Sequence, residues 1–312
     1  MKQRSTEELM LAESLKLGED LLSKKKKIMA LMKRAYEKSS LTVAAGKCGD
    51  VIERMVQDVV TTTDKEVERI YIKTVMENRT KYPNVTIDSE DETKKIREEG
   101  KVVLRLDPVD GSKHLLEGLG YVASCASISI KGRVVWAMVI DPIMGDVFHA
   151  DRGGAYLNGK RIKNSNRSIM SSPNRYNFVF YESPTSKLKE NDLKKFNRYV
   201  EIQTLLQEYA FRTRNIGIGS LQICYVAANK SSLYLDLSGS TKLYDVEAAI
   251  FIAKQVGLRI MTLEGKNLSK IAFNKDLDRK IINDPLLIGG LRACREVLRL
   301  ICRHGIECEK LG

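Results

Sequence analysis

Val102-Val103-Leu104-Arg105-Leu106-Asp107-Pro108-Val109-Asp110-Gly111-Ser112 decides how the chain is read. Residues 102–106 form the mostly apolar run that an internal strand requires. Two carboxylates follow at once. Pro108 fixes one backbone angle, so the turn brings Asp107 and Asp110 to the same edge. Like charges held this close repel each other unless a cation lies between them. Gly111-Ser112 then opens a short helix whose free N–H groups suit phosphate. Carboxylates for a hard cation beside a helix start for phosphate are the parts that metal-assisted hydrolysis of a phosphate ester needs. Taken alone, the run reads about equally well as a surface turn with Asp107 acting as a cap. Its surroundings decide between the two.

Upstream, Ser5-Thr6-Glu7-Glu8 is a capping box, and Leu11, Leu15, Leu22, Met29, Met32 and Tyr36 set a helical stripe. Two glycines in 41–49 predict a loop. Thr63-Asp64-Lys65-Glu66 reads as a second capping box, opening a helix with Val67, Ile70, Tyr71 and Thr74 on one face. Residues 85–87 read as a strand that delivers Asp88-Ser89-Glu90-Asp91-Glu92 at its end. Downstream, 123–130, 133–140 and 145–150 read as an antiparallel meander, and Asn158-Gly159 as a hairpin turn. Polar residues 163–177 mark a shift in composition, so two domains are expected, 1–170 of α+β type and 171–312 of α/β type. In the second, 177–181, 213–216 and 232–237 read as strands, and 220–228 and 245–255 as helices.

These segments carry a family resemblance. Asp107-Pro108-Val109-Asp110-Gly111-Ser112 resembles the signature of the inositol monophosphatase and fructose-1,6-bisphosphatase superfamily. Val59-Val60-Thr61-Thr62-Thr63-Asp64 resembles that family's upstream V-T-x-x-D segment, and Ile87-Asp88-Ser89-Glu90-Asp91 its strand ending in paired acids. Gly154-Ala155-Tyr156-Leu157-Asn158-Gly159 is similar to its G-A-[FY]-x-N-G hairpin, and Leu243-Tyr244-Asp245-Val246-Glu247-Ala248-Ala249 to its distal aspartate motif. All fall in the family's order, spanning about residues 51–303. One such motif is weak; several in order are a strong signal.

The resemblance implies a layered α-β-α-β-α sandwich with its active site at the junction of the two halves, and a Mg²⁺-dependent phosphoric monoester hydrolase. It implies that Glu90, Asp107 and the Val109 carbonyl hold one Mg²⁺, and that Asp107, Asp110 and Asp245 hold a second. Some relatives carry a weaker third ion on Glu90. The nucleophile would be a metal-bound water oriented by Asp64 and the Ser112 hydroxyl, with the phosphate lying over the Gly111 and Ser112 amides. Each acid also has a plain local reading. Asp64 and Asp245 could be helix caps, and Asp91 and Glu92 rival Glu90.

Substrate choice is less legible. Ser238 stands where the inositol-specific branch supplies an acid, which puts strict inositol specificity in doubt. Residues 219–228 and 234–237 look closer to the archaeal branch, which hydrolyses fructose 1,6-bisphosphate and inositol 1-phosphate. Gly219 and Ser220 are therefore candidate substrate contacts, and Arg212, Arg214 and Lys242 candidates for a second phosphate. Alternatives are a nucleotide phosphatase acting on a 3′-phosphoadenosine nucleotide or NADP, and a non-catalytic relative that binds nucleic acid or a partner.

Composition bounds the rest. With 43% apolar and 29% charged residues the chain reads as a soluble globular protein. No uncharged apolar run reaches the roughly 18 residues that span a bilayer, and no signal-peptide core follows Lys2 and Arg4, so a cytoplasmic protein is expected. The net charge of +12 raises nucleic acid as a partner, but Lys24-Lys25-Lys26-Lys27 has no interleaved aromatics, so a solvated face is the preferred reading. A small phosphorylated metabolite is the expected partner, and a homodimer is usual in the family. Cys48, Cys125, Cys224, Cys294, Cys302 and Cys308 show no CxxC pair and read as reduced, mostly buried thiols, with Cys302, His304 and Cys308 matching no standard zinc spacing. His114 and His149 match no catalytic position of the family.

Overall fold

The computed structural model describes residues 6–46, 51–54, 59–78, 80–82, 85–90, 102–169, 178–210, 212–239, 241–268, 281–282 and 285–306. Helices α1 (Thr6–Ser23) and α2 (Lys25–Ala44) come first, broken at Lys24. Their buried face is Met10, Ser14, Leu17, Gly18 and Leu21, continuing through Ile28 and Met32. Of the stripe read from the sequence, Leu11, Leu15, Leu22, Met29 and Tyr36 are only partly buried. The reason is a bulky partner: a Cβ on Gly18 would come within 2.6 Å of the Trp136 ring, so the contact line runs through the small residues. The loop expected from residue 41 is instead helix as far as Ala44.

The hairpin β1 (Val51–Arg54) and β2 (Val59–Thr61) leads into α3 (Thr62–Met76), whose Val67, Ile70, Tyr71 and Thr74 are all buried, as their spacing predicts. Strands β3 (Val85–Ser89) and β4 (Val102–Asp110) follow, then the single-turn α4 (Ser112–Leu116). The meander β5 (Ala123–Ile130), β6 (Arg133–Asp141), β7 (Asp146–Asp151), β8 (Gly154–Leu157) and β9 (Lys160–Arg161) completes a seven-stranded sheet in the order β3-β4-β5-β6-β7-β8-β9. Only β3 and β4 pair in parallel. Asn158 and Gly159 take φ of 50° and 78°, the left-handed pair that a two-residue hairpin turn demands.

Beyond it come β10 (Phe178–Glu182), α5 (Ser186–Asn191), α6 (Leu193–Tyr209), β11 (Arg212–Arg214), α7 (Gly219–Ala227), β12 (Leu233–Asp236) and β13 (Thr241–Lys242). The chain continues through α8 (Leu243–Gln255), β14 (Arg259–Met261), β15 (Ile281–Ile282), β16 (Leu286–Gly289) and α9 (Leu291–Arg303). The second sheet has the order β11-β10-β12-β16-β14. Its first three strands are parallel, while β16 runs antiparallel to both neighbours, so the sheet is mixed.

Three cores stack these parts into five layers. Leu17, Ile28 and Tyr71 from α1–α3 pack on Leu104, Ile128 and Trp136 of the first sheet. The other face of that sheet, through Ala137 and Phe148, meets Leu221, Cys224 and Ile252 of α7 and α8, which also cover Phe180, Tyr234 and Ile288 of the second sheet. The far side of the second sheet packs Val179, Leu235 and Leu287 against Ile202 of α6 and Val297 of α9. The architecture is thus the α-β-α-β-α sandwich. Its middle core draws on both sides of the boundary expected near residue 170, and residues 170–177 themselves lie outside the described ones.

Cys125, Cys224 and Cys294 are free and buried, as expected. Cys302 is disulfide-bonded, a correction to the reading of reduced thiols; it sits half-buried in the last turn of α9, outside the packed core. Among the described residues no helix is long and apolar enough to cross a membrane.

Candidate active site

Asp64 is fixed first by its own helix. Thr61 is extended (φ −108°, ψ 168°) and caps α3, which puts the capping box two residues earlier than the sequence suggests, with Asp64 as its acidic member. One carboxylate oxygen, Oδ2, accepts the Thr61 N–H at 2.8 Å and also the Thr61 hydroxyl. The other, Oδ1, lies 2.7 Å from the Ser112 hydroxyl, which is also 2.8 Å from the Val109 carbonyl oxygen. The cap reading and the site reading therefore hold together, one for each oxygen.

The β4 end is shaped by Pro108. Asp107 pairs with Cys125, and the register shifts between Asp107 and Asp110, because a proline has no N–H to continue the ladder. Gly111 then takes φ +93°, and a Cβ there would meet the Tyr121 carbonyl at 2.8 Å and the Ile218 side chain, so only glycine fits. Glu90 follows β3, and its N–H donates to the Leu106 carbonyl at 3.1 Å, which ties it beside Asp107. Asp245 stands in the first turn of α8.

Tertiary packing brings three of the expected ligands together. Carboxylate oxygens of Glu90, Asp107 and Asp245 all lie within 4.8 Å of one another. Burial pushes the Asp107 carboxyl well above the usual carboxylate range, and the charges of Glu90, Asp110, Asp245 and Asp64 push it further. Asp110 is pushed to about 7, chiefly by burial, against the lowering effect of the Ser220 hydroxyl that donates to it. Burial also raises Asp64, opposed by its bonds from Thr61 and Ser112. Oxygen donors that repel one another in a partly buried site are the donor set a hard divalent cation satisfies.

The substrate-side candidates divide. Ser220 is fully buried, with its hydroxyl on Asp110, and a Cβ on neighbouring Gly219 would come within 3.1 Å of the Tyr234 hydroxyl. Lys242 forms a 2.7 Å ion pair with Glu90, at the lip of the acid cluster. Arg214 is exposed on β11, donating to the Thr213 carbonyl at 2.9 Å and stacking 5.9 Å from the Phe178 ring; these contacts hold it on the edge of the second sheet. Arg212 is exposed on the same strand. Asp91, Glu92 and Cys308 lie outside the described residues.

The structure also shows two acids that the sequence reading passed over. Glu182 and Asp236 end the parallel strands β10 and β12 directly opposite each other. Gln222 donates to Glu182, while Asp236 accepts the Ser238 N–H at 2.8 Å and the Thr241 hydroxyl. Burial raises Glu182 to about 8, with Asp236 and Asp110 adding to it, and raises Asp236 to about 6. The missed signal was an acid closing an apolar strand, the pattern that singled out Asp107.

The profile of the inositol monophosphatase family matches residues 19–294. "Nus factor SuhB" of Pasteurella multocida is 27% identical over 71% of this chain and 83% of that protein. "Inositol monophosphatase 2" of Saccharomyces cerevisiae is 28% identical over 64% of this chain and 68% of its own. Among solved structures, the extragenic suppressor protein suhB from Bartonella henselae aligns over 96% of this chain and 98% of its own, with a TM-score of 0.67 at 19% identity. An IMPase/NADP phosphatase complexed with Mg²⁺ and phosphate aligns over 90% and 95%, with a TM-score of 0.63 at 17% identity.

Proposed function

The chain belongs to the inositol monophosphatase family, and from that premise we propose that it is a Mg²⁺-dependent phosphatase of small phosphate monoesters. The observation that carries this reading is the meeting of Glu90, Asp107 and Asp245 within 4.8 Å, drawn from β3, β4 and α8. The Asp64–Ser112 hydrogen bond stands next to it, at the start of α4. Glu90, Asp107 and the Val109 carbonyl would hold one cation, and Asp107, Asp110 and Asp245 a second. Bound there, the ions would make water more acidic and offset charge on the phosphate and leaving group. A relative of the same fold is described with Mg²⁺ and phosphate, which favours this cation.

The chain's own groups supply the rest. Ser112 Oγ donates to Asp64 Oδ1, so a proton leaving an attacking water can pass through the hydroxyl to that carboxylate, whose other oxygen is anchored by Thr61. Gly111 turns the chain from β4 directly into α4, and the phosphate would lie over the Gly111 and Ser112 amides. Lys242, released from Glu90 when that carboxylate takes a cation, would reach the substrate's remaining charge. Glu182 and Asp236, at the ends of parallel strands, are suited to accept hydrogen bonds from sugar or polyol hydroxyls.

Fructose 1,6-bisphosphate and inositol 1-phosphate are the substrates we assign, with NADP and 3′-phosphoadenosine nucleotides as competitors. Phosphate release from each, with Mg²⁺ and with a chelator, tests this. Release that persists in chelator, or no release from any of them, defeats the reading. A homodimer in the cytoplasm belongs to the same proposal and is checked by light scattering and by localisation of a tagged chain.

One observation favours a second role. Arg292, Arg295, Arg299 and Arg303 are all exposed along α9, opposite its buried face of Ala293, Cys294, Val297, Leu298 and Ile301. Several relatives bear the name Nus factor. An arginine stripe of this kind suits an anionic polymer. Salt-dependent binding of single-stranded RNA, abolished by Arg295→Glu and Arg299→Glu, would establish it; salt-independent or absent binding removes it.

A further inference from the structure

A buried ion network lies beneath the acid cluster, and the catalytic reading makes no use of it. Arg105 Nε donates to Asp88 Oδ2 at 3.2 Å, and Arg105 Nη1 to Glu247 Oε1 at 2.7 Å. The remaining carboxylate oxygens are also engaged: the Tyr244 hydroxyl donates to Asp88 Oδ1 at 2.7 Å and the Ser127 hydroxyl to Glu247 Oε2 at 2.5 Å. The Tyr244 ring lies 5.6 Å from the guanidinium carbon. Arg105 is 8% exposed, Asp88 7% and Glu247 1%, so the network is dry and closed.

Its placement is systematic. Asp88 is two residues before Glu90, Arg105 two before Asp107, and Glu247 two after Asp245. Asp88 and Arg105 are register partners on β3 and β4. On β4 a two-residue step returns to the same face, so Arg105 and Asp107 stand side by side. Each element that brings a carboxylate to the cluster thus carries one charged group of the network.

Stability does not account for these charges. An apolar set of equal volume packs as well or better than a buried ion cluster, because each ion must give up its hydration. A charge-assisted fork between three elements does something apolar packing does not: it sets their spacing and orientation. That matters where carboxylates within 4.8 Å of one another must stay close before any cation arrives.

We propose that Arg105 is a positioning residue, which clamps β3, β4 and α8 through Asp88 and Glu247 so that Glu90, Asp107 and Asp245 stand ready for a divalent cation. The inference rests on the reading of those three acids as a cation site. Partners behind metal ligands typically set metal affinity by about 10- to 100-fold.

The test compares the wild type with two variants. In the first, Asp88→Val, Arg105→Met, Ser127→Ala, Tyr244→Phe and Glu247→Leu are combined, so that no buried polar group is left without a partner. The second is Arg105→Lys alone, which keeps the charge and loses the fork. Mg²⁺ binding is measured without substrate by titration calorimetry, and metal-free Tm by calorimetry. The expected result is a metal-free Tm near or above that of the wild type in the combined variant, with Mg²⁺ Kd weakened about 10- to 100-fold. Its kcat should recover at saturating Mg²⁺, a split that loss of folding does not produce. Arg105→Lys should fall between the two, and it decides the matter by the same measurement if the combined variant does not fold. Mg²⁺ Kd within twofold of wild type in a folded variant overturns the proposal. If the wild type binds no divalent cation, the phosphatase reading falls, and the positioning role with it.

Discussion

Two sets of acids gather where strands of the two sheets end, the first joined by Asp245 from α8, and they are built differently. Glu90, Asp107 and Asp245 meet within 4.8 Å, Lys242 pairs with Glu90, and burial together with the neighbouring carboxylates drives Asp107 far up. Glu182 and Asp236 face each other as well, but each has a neutral donor at hand, Gln222 for one and Ser238 and Thr241 for the other. Burial raises both, yet a proton or a hydroxyl satisfies them. An acid cluster whose carboxylates crowd one another is suited to a cation; an acid pair held by neutral donors is suited to hydroxyls. Under the proposed function, the first set would be the metal side and the second the substrate side.

Three substitutions can break or sharpen this contrast. Asp107→Asn should do most, lowering phosphate release by about 10²- to 10³-fold, the scale of losing one preorganised charge contact to a transition state. The same change should raise the metal-free Tm, since it removes one of the repelling charges; a fall in metal-free Tm would argue against a strained cluster. Glu182→Gln comes next and acts through pH. The folded carboxyl is raised to about 8, so it favours the folded state at low pH, and that contribution is lost as pH rises from about 4 through about 8. Metal-free wild type should therefore lose stability over that window, by at most about 1.4 kcal/mol per pH unit from this group. Glu182→Gln should flatten the fall, as read by denaturant midpoints at pH 5 and pH 8. An unchanged slope removes Glu182 from the contrast. The smallest effect belongs to Lys242→Met. A half-exposed ion pair is worth about 0.2–1 kcal/mol, so freeing Glu90 should tighten Mg²⁺ binding by at most about fivefold while weakening bisphosphate substrates. Weaker Mg²⁺ binding in this variant would mean that Lys242 supports the cation site.

Much of the molecule was legible locally. The strand running into Asp107-Pro108-Val109-Asp110, the meander after it and the Asn158-Gly159 turn all follow from short-range rules, and the chain obeys them. The errors sit where a neighbour distant in sequence decides. The stripe on α1 was misplaced because Trp136, on another element, selects Ser14 and Gly18 as the contact line. The capping box on α3 was set two residues late because Thr61, extended at the end of β2, takes the cap first. Helices α6 and α9 were passed over although both are amphipathic, since no motif drew attention to them.

The sequence by itself determined the family through its ordered motifs, and that resemblance implied the layered architecture and the candidate acids; periodicity, proline and glycine set the local elements, because they act over a few residues. Only the tertiary structure decided which side chains share a volume. It paired Lys242 with Glu90, left Arg214 on a sheet edge, set Glu182 opposite Asp236 and buried Arg105 between Asp88 and Glu247. Those outcomes depend on how α7 and α8 wedge between two sheets, and the interactions that place them lie between residues far apart along the chain.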